Sequence, residues 1–237
     1  MLSELLEMSD IDLDKEGVSF LESHLAYVLE ANDAVRLTAI VEREEAERLH
    51  IIDSLLALPE LVVAPPGPLL DIGSGGGYPG IPLAIASGRE TDILDSVQKK
   101  ARIIQIFLSE KQKEHDESIP HIQSLGLRAE ELALERPAYY AAVVARAVAS
   151  LPALVELATP LLRMGGPLIA LKGRRDAEEV ERGVKAAQKL GMQLKSERQY
   201  LLPVGGEKRS IVVFERIATA ERELPRRPGK AQSRPLA

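Results

Sequence analysis

Apolar positions repeat with helical spacing over the first quarter of the chain. Leu21, Leu25 and Val28 lie on one predicted helical face, and similar patterns recur throughout residues 1–60. The prolines and glycine of residues 65–68 then break the pattern. We therefore expect a small N-terminal helical cap over residues 1–60, followed by a separate unit.

Beyond this break, short apolar runs alternate with amphipathic stretches. The predicted strands are 69–72, 92–95, 121–123, 143–144, 167–171, 193–201 and 209–215. The predicted intervening helices include 81–86, a stretch from about Val97 to Leu108, 151–162 and 176–190. Because only a loop separates the last two strands, that pair should be antiparallel. Residues 61–217 thus predict an α/β fold with a mostly parallel seven-stranded sheet and a C-terminal antiparallel hairpin.

Residues 218–237 differ in composition from the rest of the chain. From Glu221 onward, basic residues outnumber acids and three prolines interrupt the segment. We predict an extended or disordered basic tail. Composition is equally compatible with a solubilising end and with a segment that contacts a polyanion.

Composition excludes several classes of function. There is no cysteine, so disulfides, thiolate metal sites and cysteine nucleophiles are excluded, and the net charge of −6 argues against binding polyanions with the whole surface. No metal site is expected, and His115 and His121 should lie in solvated loops. The longest apolar runs are too short to span a membrane, and the N-terminus carries acids instead of a basic signal region. We expect a cytoplasmic monomer that does not bind membranes.

The most informative local pattern is the glycine-rich run that follows the first predicted strand. Asp71 ends that strand, and four glycines follow within the next six residues. Glycine allows positive φ and lets a ligand approach the backbone closely, and the N-terminus of the next helix could hold a carboxylate or phosphate. In an open parallel sheet this position lies beside the ligand crevice. A cofactor loop is therefore predicted at residues 71–78.

The glycine spacing alone is compatible with two cofactors. Asp95 follows Gly75 by twenty residues, at the position of a ribose-binding acid, so either a nicotinamide dinucleotide or an adenosine-containing methyl donor could bind. Asp71 would repel a pyrophosphate but attract a sulfonium and an α-amino group. Together with the closing hairpin, this favours S-adenosylmethionine (SAM) and a Rossmann-like class I methyltransferase fold.

Seven motifs also match one family, in that family's order. They lie at residues 36–40, 50–55, 71–85, 95–100, 145–151, 170–173 and 224–230. In these motifs the chain resembles the bacterial small-subunit rRNA methyltransferase G family, formerly called glucose-inhibited division protein B. The resemblance implies methyl transfer from SAM to N7 of a guanine in the 530 loop of 16S rRNA, guanine 527 in standard rRNA numbering. The implied partner is 16S rRNA or the small ribosomal subunit.

The predicted site combines residues implied by the family motifs with residues chosen by position. The resemblance implies cofactor contacts at Gly73, Tyr78, Ala129, Glu130 and Arg146. Position at the strand ends adds Asp71, Gly75, Asp95 and Ser96.

Arg146 and Lys172 are the predicted catalytic residues, since each ends a central strand. Guanine N7 carries no proton, so positioning and electrostatics would suffice without a general base. His50 and Asp53, three residues apart on a predicted helix, are interpreted as a local polar contact. The alternatives are a small-molecule methyltransferase and, with less support, an NAD-dependent oxidoreductase.

Overall fold

The structure is a computed structural model of the chain, and it describes residues 1–115 and 119–236. Its centre is a seven-stranded sheet in the order β3-β2-β1-β4-β5-β7-β6. The strands are β1 (Leu69–Ile72), β2 (Thr91–Leu94), β3 (Ile122–Leu125), β4 (Ala142–Arg146), β5 (Pro167–Lys172), β6 (Met192–Leu201) and β7 (Lys208–Arg216). The first five run parallel, whereas β7 is antiparallel to both β5 and β6. The predicted fold class and the closing hairpin are confirmed.

Helices cover both faces of the sheet. Before β1 the chain forms α1 (Leu2–Met8), α2 (Lys15–Ala31), α3 (Arg43–Ala46), a π-helical turn (Glu47–Ile52), α4 (Asp53–Leu55) and α5 (Leu58–Val62). The later helices are α6 (Gly80–Ser87), α7 (Gln98–His115), α8 (Ala129–Glu135), α9 (Leu151–Ala158), α10 (Ala177–Lys189) and α11 (Lys230–Ser233). Helix α9 ends four residues earlier than predicted. His121 is exposed before β3, and the side chain of His115 is outside the described part of the chain.

The N-terminal helices share a hydrophobic core with one face of the sheet. Phe20 and Leu25 of α2 pack in the same buried cluster as Ile81 of α6, Ile93 of β2 and Ile104 of α7. Burial of these apolar side chains fixes the N-terminal helices against the glycine loop. The N-terminal segment therefore supplies part of the wall around the carboxyl ends of the strands.

The C-terminal segment is folded, contrary to the prediction of an extended or disordered tail. Arg226 forms an ion pair with Glu156, which is buried in α9, and the backbone N–H of Gly229 donates to Glu130. Ala231 of α11 is buried, and Leu236 packs on the main core cluster. Composition did not reveal these anchors because each is a single residue within an otherwise polar, proline-rich stretch.

A buried polar network joins β2 to the entry of β4. The carboxylate of Asp92 accepts hydrogen bonds from Gln123, Arg136 and the hydroxyl of Tyr140. Burial, followed by the hydrogen bond to Asp92, raises the pKa of Tyr140, so its hydroxyl remains a donor at ordinary pH. The network compensates the burial of the carboxylate.

We predict that Tyr140→Phe lowers the free energy of unfolding by about 1.5–3 kcal/mol, because a hydrogen bond to a buried charged group is lost. Urea denaturation followed by circular dichroism measures the change. Tyr139→Phe is the matched control, since this neighbouring ring is partly exposed and packs edge-on against Tyr140. Equal stability of the two variants would contradict the prediction.

Candidate active site at the carboxyl ends of the central strands

The glycine loop between β1 and α6 has a backbone that only glycine adopts easily. Gly73, Gly75 and Gly77 have φ values of +75°, +57° and +94°. A Cβ atom at Gly73 would lie 2.4 Å from a methyl carbon of Val148, and one at Gly77 would lie 2.6 Å from Ile81 Cδ1. The loop therefore needs glycine both for its backbone conformation and for close packing.

Asp95 holds this loop in place. Its carboxylate accepts hydrogen bonds from the backbone N–H of Gly75 at 3.0 Å and from that of Val97 at 2.8 Å. The backbone N–H groups of Gly73 and Ser74 donate to the carbonyl of Leu94, at the end of β2. The acid predicted to bind ribose thus lies beside the loop and also orders it. Each carboxylate oxygen can accept a further bond.

Asp71 is fully buried beneath the loop. One carboxylate oxygen accepts a bond from the backbone N–H of Gly80 at 2.8 Å, and the other has no partner among the described residues. Burial raises the pKa of Asp71 to about 7, although the Gly80 bond and Arg146 oppose the rise. A buried carboxyl oxygen without a donor is costly, so this position favours a ligand that brings a donor or a positive charge.

A cavity of about 450 Å³ opens beside the loop, at the ends of β1, β4 and β5. Five predicted site residues line it: Gly73, Gly75, Tyr78, Arg146 and Lys172. It is also lined by Thr38, His50, Asp53 and Arg209, which were not predicted as site residues. Its volume lies within the range of about 300–1,000 Å³ typical of ligand pockets.

Arg146 connects the end of β4 to the N-terminal helices. One guanidinium nitrogen donates to the carbonyl of Leu49 at 2.9 Å and lies 3.3 Å from a carboxylate oxygen of Asp53. The other lies 3.4 Å from Nδ1 of His50, and the guanidinium carbon is 5.8 Å from the centre of the Tyr78 ring. The position at a strand end was predicted, and the structure adds the contacts that orient the side chain.

The interpretation of His50 and Asp53 as a local polar contact was wrong, because their polar partners lie elsewhere in the chain. Asp53 contacts Arg146, the Tyr200 hydroxyl at 3.3 Å and Arg209 Nε at 3.3 Å. These partners come from β4, β6 and β7, so sequence spacing could not identify them. Asp53 instead balances two cations at the wall of the large cavity.

His50 lies in the π-helical turn and faces the glycine loop. Its Nε2 is 2.7 Å from the Thr38 hydroxyl, and its ring stacks on Tyr78 with centroids 4.7 Å apart. Burial, with a smaller contribution from Arg146, lowers the pKa of His50 to about 4. His50 is therefore neutral at physiological pH. Single-turn π-helices are frequent at functional sites.

Lys172 ends β5 and lines the same cavity. Its ammonium donates to Glu179 of α10 at 2.8 Å and to the carbonyl of Ala149 at 3.2 Å. The ion pair orients the lysine at the cavity wall.

A second, smaller cavity of about 50 Å³ contains three further predicted cofactor residues. Ser96, Ala129 and Glu130 line it, together with Gln232 of the C-terminal segment. Gly73 lines both cavities. The two cavities therefore adjoin at this glycine, whereas Asp71 and Asp95 lie beside the loop and line neither of them.

The site has no arrangement suited to metal chemistry. Within residues 1–115 and 119–236, no group of three or more histidine or acidic side chains could hold a metal ion.

Among the described helices, none is both long and apolar enough to cross a bilayer.

We predict that His50→Gln weakens the pH dependence of stability between pH 4 and 6.5. In this window the unfolded chain takes up a proton at His50, whose ordinary pKa is 6.5, whereas the folded protein does not. The free energy of unfolding of the wild type thus rises with pH in this window. In the variant the slope of this rise should be smaller by up to about 1.4 kcal/mol per pH unit. Urea denaturation across the window measures it, with His121→Gln at an exposed position as the control. Parallel curves for wild type and His50→Gln would contradict the assignment.

Solved structures with the same fold are methyltransferases. The geranyl diphosphate C-methyltransferase of Streptomyces coelicolor superposes with a TM-score of 0.52 at 12% identity, over 74% of this chain and 80% of that one. A SAM-dependent methyltransferase of Methanosarcina mazei gives a TM-score of 0.52 at 13% identity, over 67% of this chain and 97% of that one. At these identities the likeness shows the class I methyltransferase fold alone.

Sequence comparison identifies the family. A profile described as rRNA small subunit methyltransferase G matches residues 18–211. The ribosomal RNA small subunit methyltransferase G of Carboxydothermus hydrogenoformans is 33% identical over 95% of this chain and 94% of its own length. The Bacillus cereus protein of the same name is 33% identical over 98% of this chain and 96% of its own length. The chain belongs to the rRNA small subunit methyltransferase G family.

Proposed function

We propose that this protein transfers the methyl group of SAM to N7 of a guanine in the 530 loop of 16S rRNA, corresponding to guanine 527. Membership in the family supports the reaction and the substrate class. The observation that carries the proposal is the pair of adjoining cavities that meet at Gly73. The small cavity lies where the nucleoside half of the donor would bind, and the large one has room for its methyl end together with a base.

The residues present fit SAM. The positive-φ glycines leave the loop surface free of side chains, and the unpaired oxygen of Asp71 beneath the loop would favour a cationic methyl donor there. Gly73, Gly75 and Tyr78 would hold its methionine half, and Asp95 and Ser96 its ribose. Ala129 and Glu130 would lie beside its adenine. When bound, SAM supplies an electrophilic methyl group on a sulfonium.

The large cavity suits a guanine that reacts without losing a proton. N7 of guanine is a lone-pair acceptor, so no general base is needed, and neutral His50 agrees with this requirement. Arg146, Lys172 and Arg209 present donors that can hold O6 of the base or a flanking phosphate. Catalysis then consists of positioning and of fixed charges around the reacting atoms.

Exposed basic residues on α7 and after β5 would contact the RNA backbone. Arg102 and Arg174 are exposed, whereas Lys99 donates to the carbonyl of Ala34 and Arg175 pairs with Glu197. Phosphate contacts of this kind position a nucleic acid without reading its sequence. Guanine specificity would come from the large cavity itself.

The sheet argues against the nicotinamide alternative. A dinucleotide-binding sheet has parallel strands in the order 3-2-1-4-5-6, whereas here an antiparallel β7 lies between β5 and β6. Asp71 would also repel a pyrophosphate.

We expect the purified protein to methylate 16S rRNA, as deproteinised RNA or within small subunits, with one N7-methylguanine in the 530 loop. Radioactive methyl transfer and mapping of the modified base measure this. Gly73→Ala should abolish transfer and weaken S-adenosylhomocysteine binding more than tenfold, because its Cβ would collide with Val148. Gly88→Ala is the matched control, since it has a similar φ of +68° and open space around its Cβ.

Two outcomes would overturn the proposal. Folded protein that binds SAM but modifies neither RNA substrate would contradict the rRNA assignment. Transfer to a small molecule without RNA would favour a small-molecule methyltransferase instead.

We predict that Arg146→Lys lowers kcat/KM by about 100-fold or more, because an ammonium cannot reproduce the contacts of the guanidinium with Leu49, Asp53 and His50. Steady-state kinetics and cofactor-binding calorimetry separate its effect on turnover from that on affinity. Arg209→Lys is a comparison variant that keeps a charge near Asp53. Unchanged kinetics of Arg146→Lys would remove this residue from the catalytic machinery.

A further inference from the structure

The C-terminal segment is anchored next to the small cavity by two acids. Both oxygens of Glu156, which is buried in α9, accept bonds of 2.6 Å from Arg226. The backbone N–H of Gly229 donates to a carboxylate oxygen of Glu130 at 2.8 Å. Glu130 lines the cavity, so one anchor of the segment is itself a wall residue.

Helix α11 is fixed at both ends, and this places Gln232 at the cavity. Gly229 lies before the helix, and Leu236, which follows it, donates from its backbone N–H to Glu156 at 3.2 Å. Ala231 is 2% exposed and packs in the main core cluster. With its neighbour buried in this way, Gln232 is itself exposed and lines the same cavity as Gly73 and Ser96.

The cavity lies where the nucleoside half of a bound donor belongs. Its walls come from the ends of β1, β2 and β3, through Gly73, Ser96 and Ala129. In open parallel sheets the acid that ends the second strand contacts the ribose of the ligand. The adenine attached to that ribose then lies toward the third strand. At about 50 Å³ the cavity is well below the size of typical ligand pockets. A nucleoside can enter only if one wall moves.

The C-terminal segment is the wall best suited to move. It is held by a few contacts, namely the bonds to Glu156 and Glu130 and the packing of Ala231 and Leu236. The other walls of the cavity belong to the sheet and to the helices packed on it. An amide side chain has a donor and an acceptor side by side, which matches the donor–acceptor edges of adenine. Gln232 is the group on this segment that can make such bonds inside the cavity.

We propose that Gln232 binds the adenosine part of SAM and that the segment from Arg226 to Leu236 is a wall of that pocket, so that cofactor binding and segment docking strengthen each other. This inference rests on the proposed function, because it takes SAM as the ligand. Coupling of this kind is reciprocal: whatever loosens the segment weakens the cofactor, and the cofactor in turn holds the segment closed.

Calorimetry with S-adenosylhomocysteine tests the residue. Gln232→Ala should bind about 3- to 10-fold more weakly than wild type, the effect of losing one net hydrogen bond. Gln199→Ala is the matched control, since Gln199 is an exposed glutamine on β6 at the sheet edge, and its affinity should stay within twofold of wild type.

Limited trypsin digestion tests the coupling without any measurement of activity. Trypsin can cleave after Arg222 and Lys230, which are both exposed, whereas Arg227 and Arg234 precede prolines and resist cleavage. S-adenosylhomocysteine should slow cleavage at these sites several-fold in wild type and less in Gln232→Ala. Arg226→Ala should speed cleavage and weaken cofactor binding, whereas Arg227→Ala, an exposed neighbour of equal charge, should retain wild-type affinity. Circular dichroism confirms that each variant is folded.

The outcomes separate this inference from the proposed function. If wild type binds no S-adenosylhomocysteine, the proposed function fails and this inference fails with it. If wild type binds it and Gln232→Ala matches Gln199→Ala, the proposed function stands and the role of Gln232 is overturned. Tail cleavage that is equal with and without ligand overturns the coupling.

Discussion

The guanidinium of Arg146 is the contact on which the geometry of the site depends. It joins the end of β4 to the π-helical turn through Leu49 and His50, and it shares the charge of Asp53 with Arg209. A partly buried cation needs such compensation, so these groups fix one another in position. The N-terminal helices are therefore held at the cavity by a charge network as well as by apolar packing.

A second constraint comes from the backbone between β1 and α6. The carboxylate of Asp95 and the carbonyl of Leu94 hold three N–H groups of the loop, and the glycines leave its surface free of side chains. Because the loop and the acids beside it are already fixed, they need little rearrangement when a cationic donor binds. The short sequence from Asp71 to Tyr78 therefore accounts both for the shape of the loop and for its preference for a cationic cofactor.

Much of the fold and part of the site could be predicted from sequence. The alternation of apolar runs identified all seven strands. The family motifs, with strand-end position for Arg146, selected Gly73, Tyr78 and Arg146, and these line one cavity because strand ends meet at one edge of a parallel sheet. The partners of Asp53 and the anchors of the C-terminal segment could not be predicted. They depend on contacts between residues 70 or more positions apart, such as Arg226 with Glu156, for which local periodicity carries no information.

The position of Gly73 between the two cavities bears on inhibitor design. A compound that links a nucleoside to a guanine mimic would have to cross the backbone at this residue. A side chain there would meet Val148 and, in the proposed binding mode, narrow the passage that the donor itself would use. The protein could not exclude such a compound by substituting Gly73 without also excluding its own cofactor.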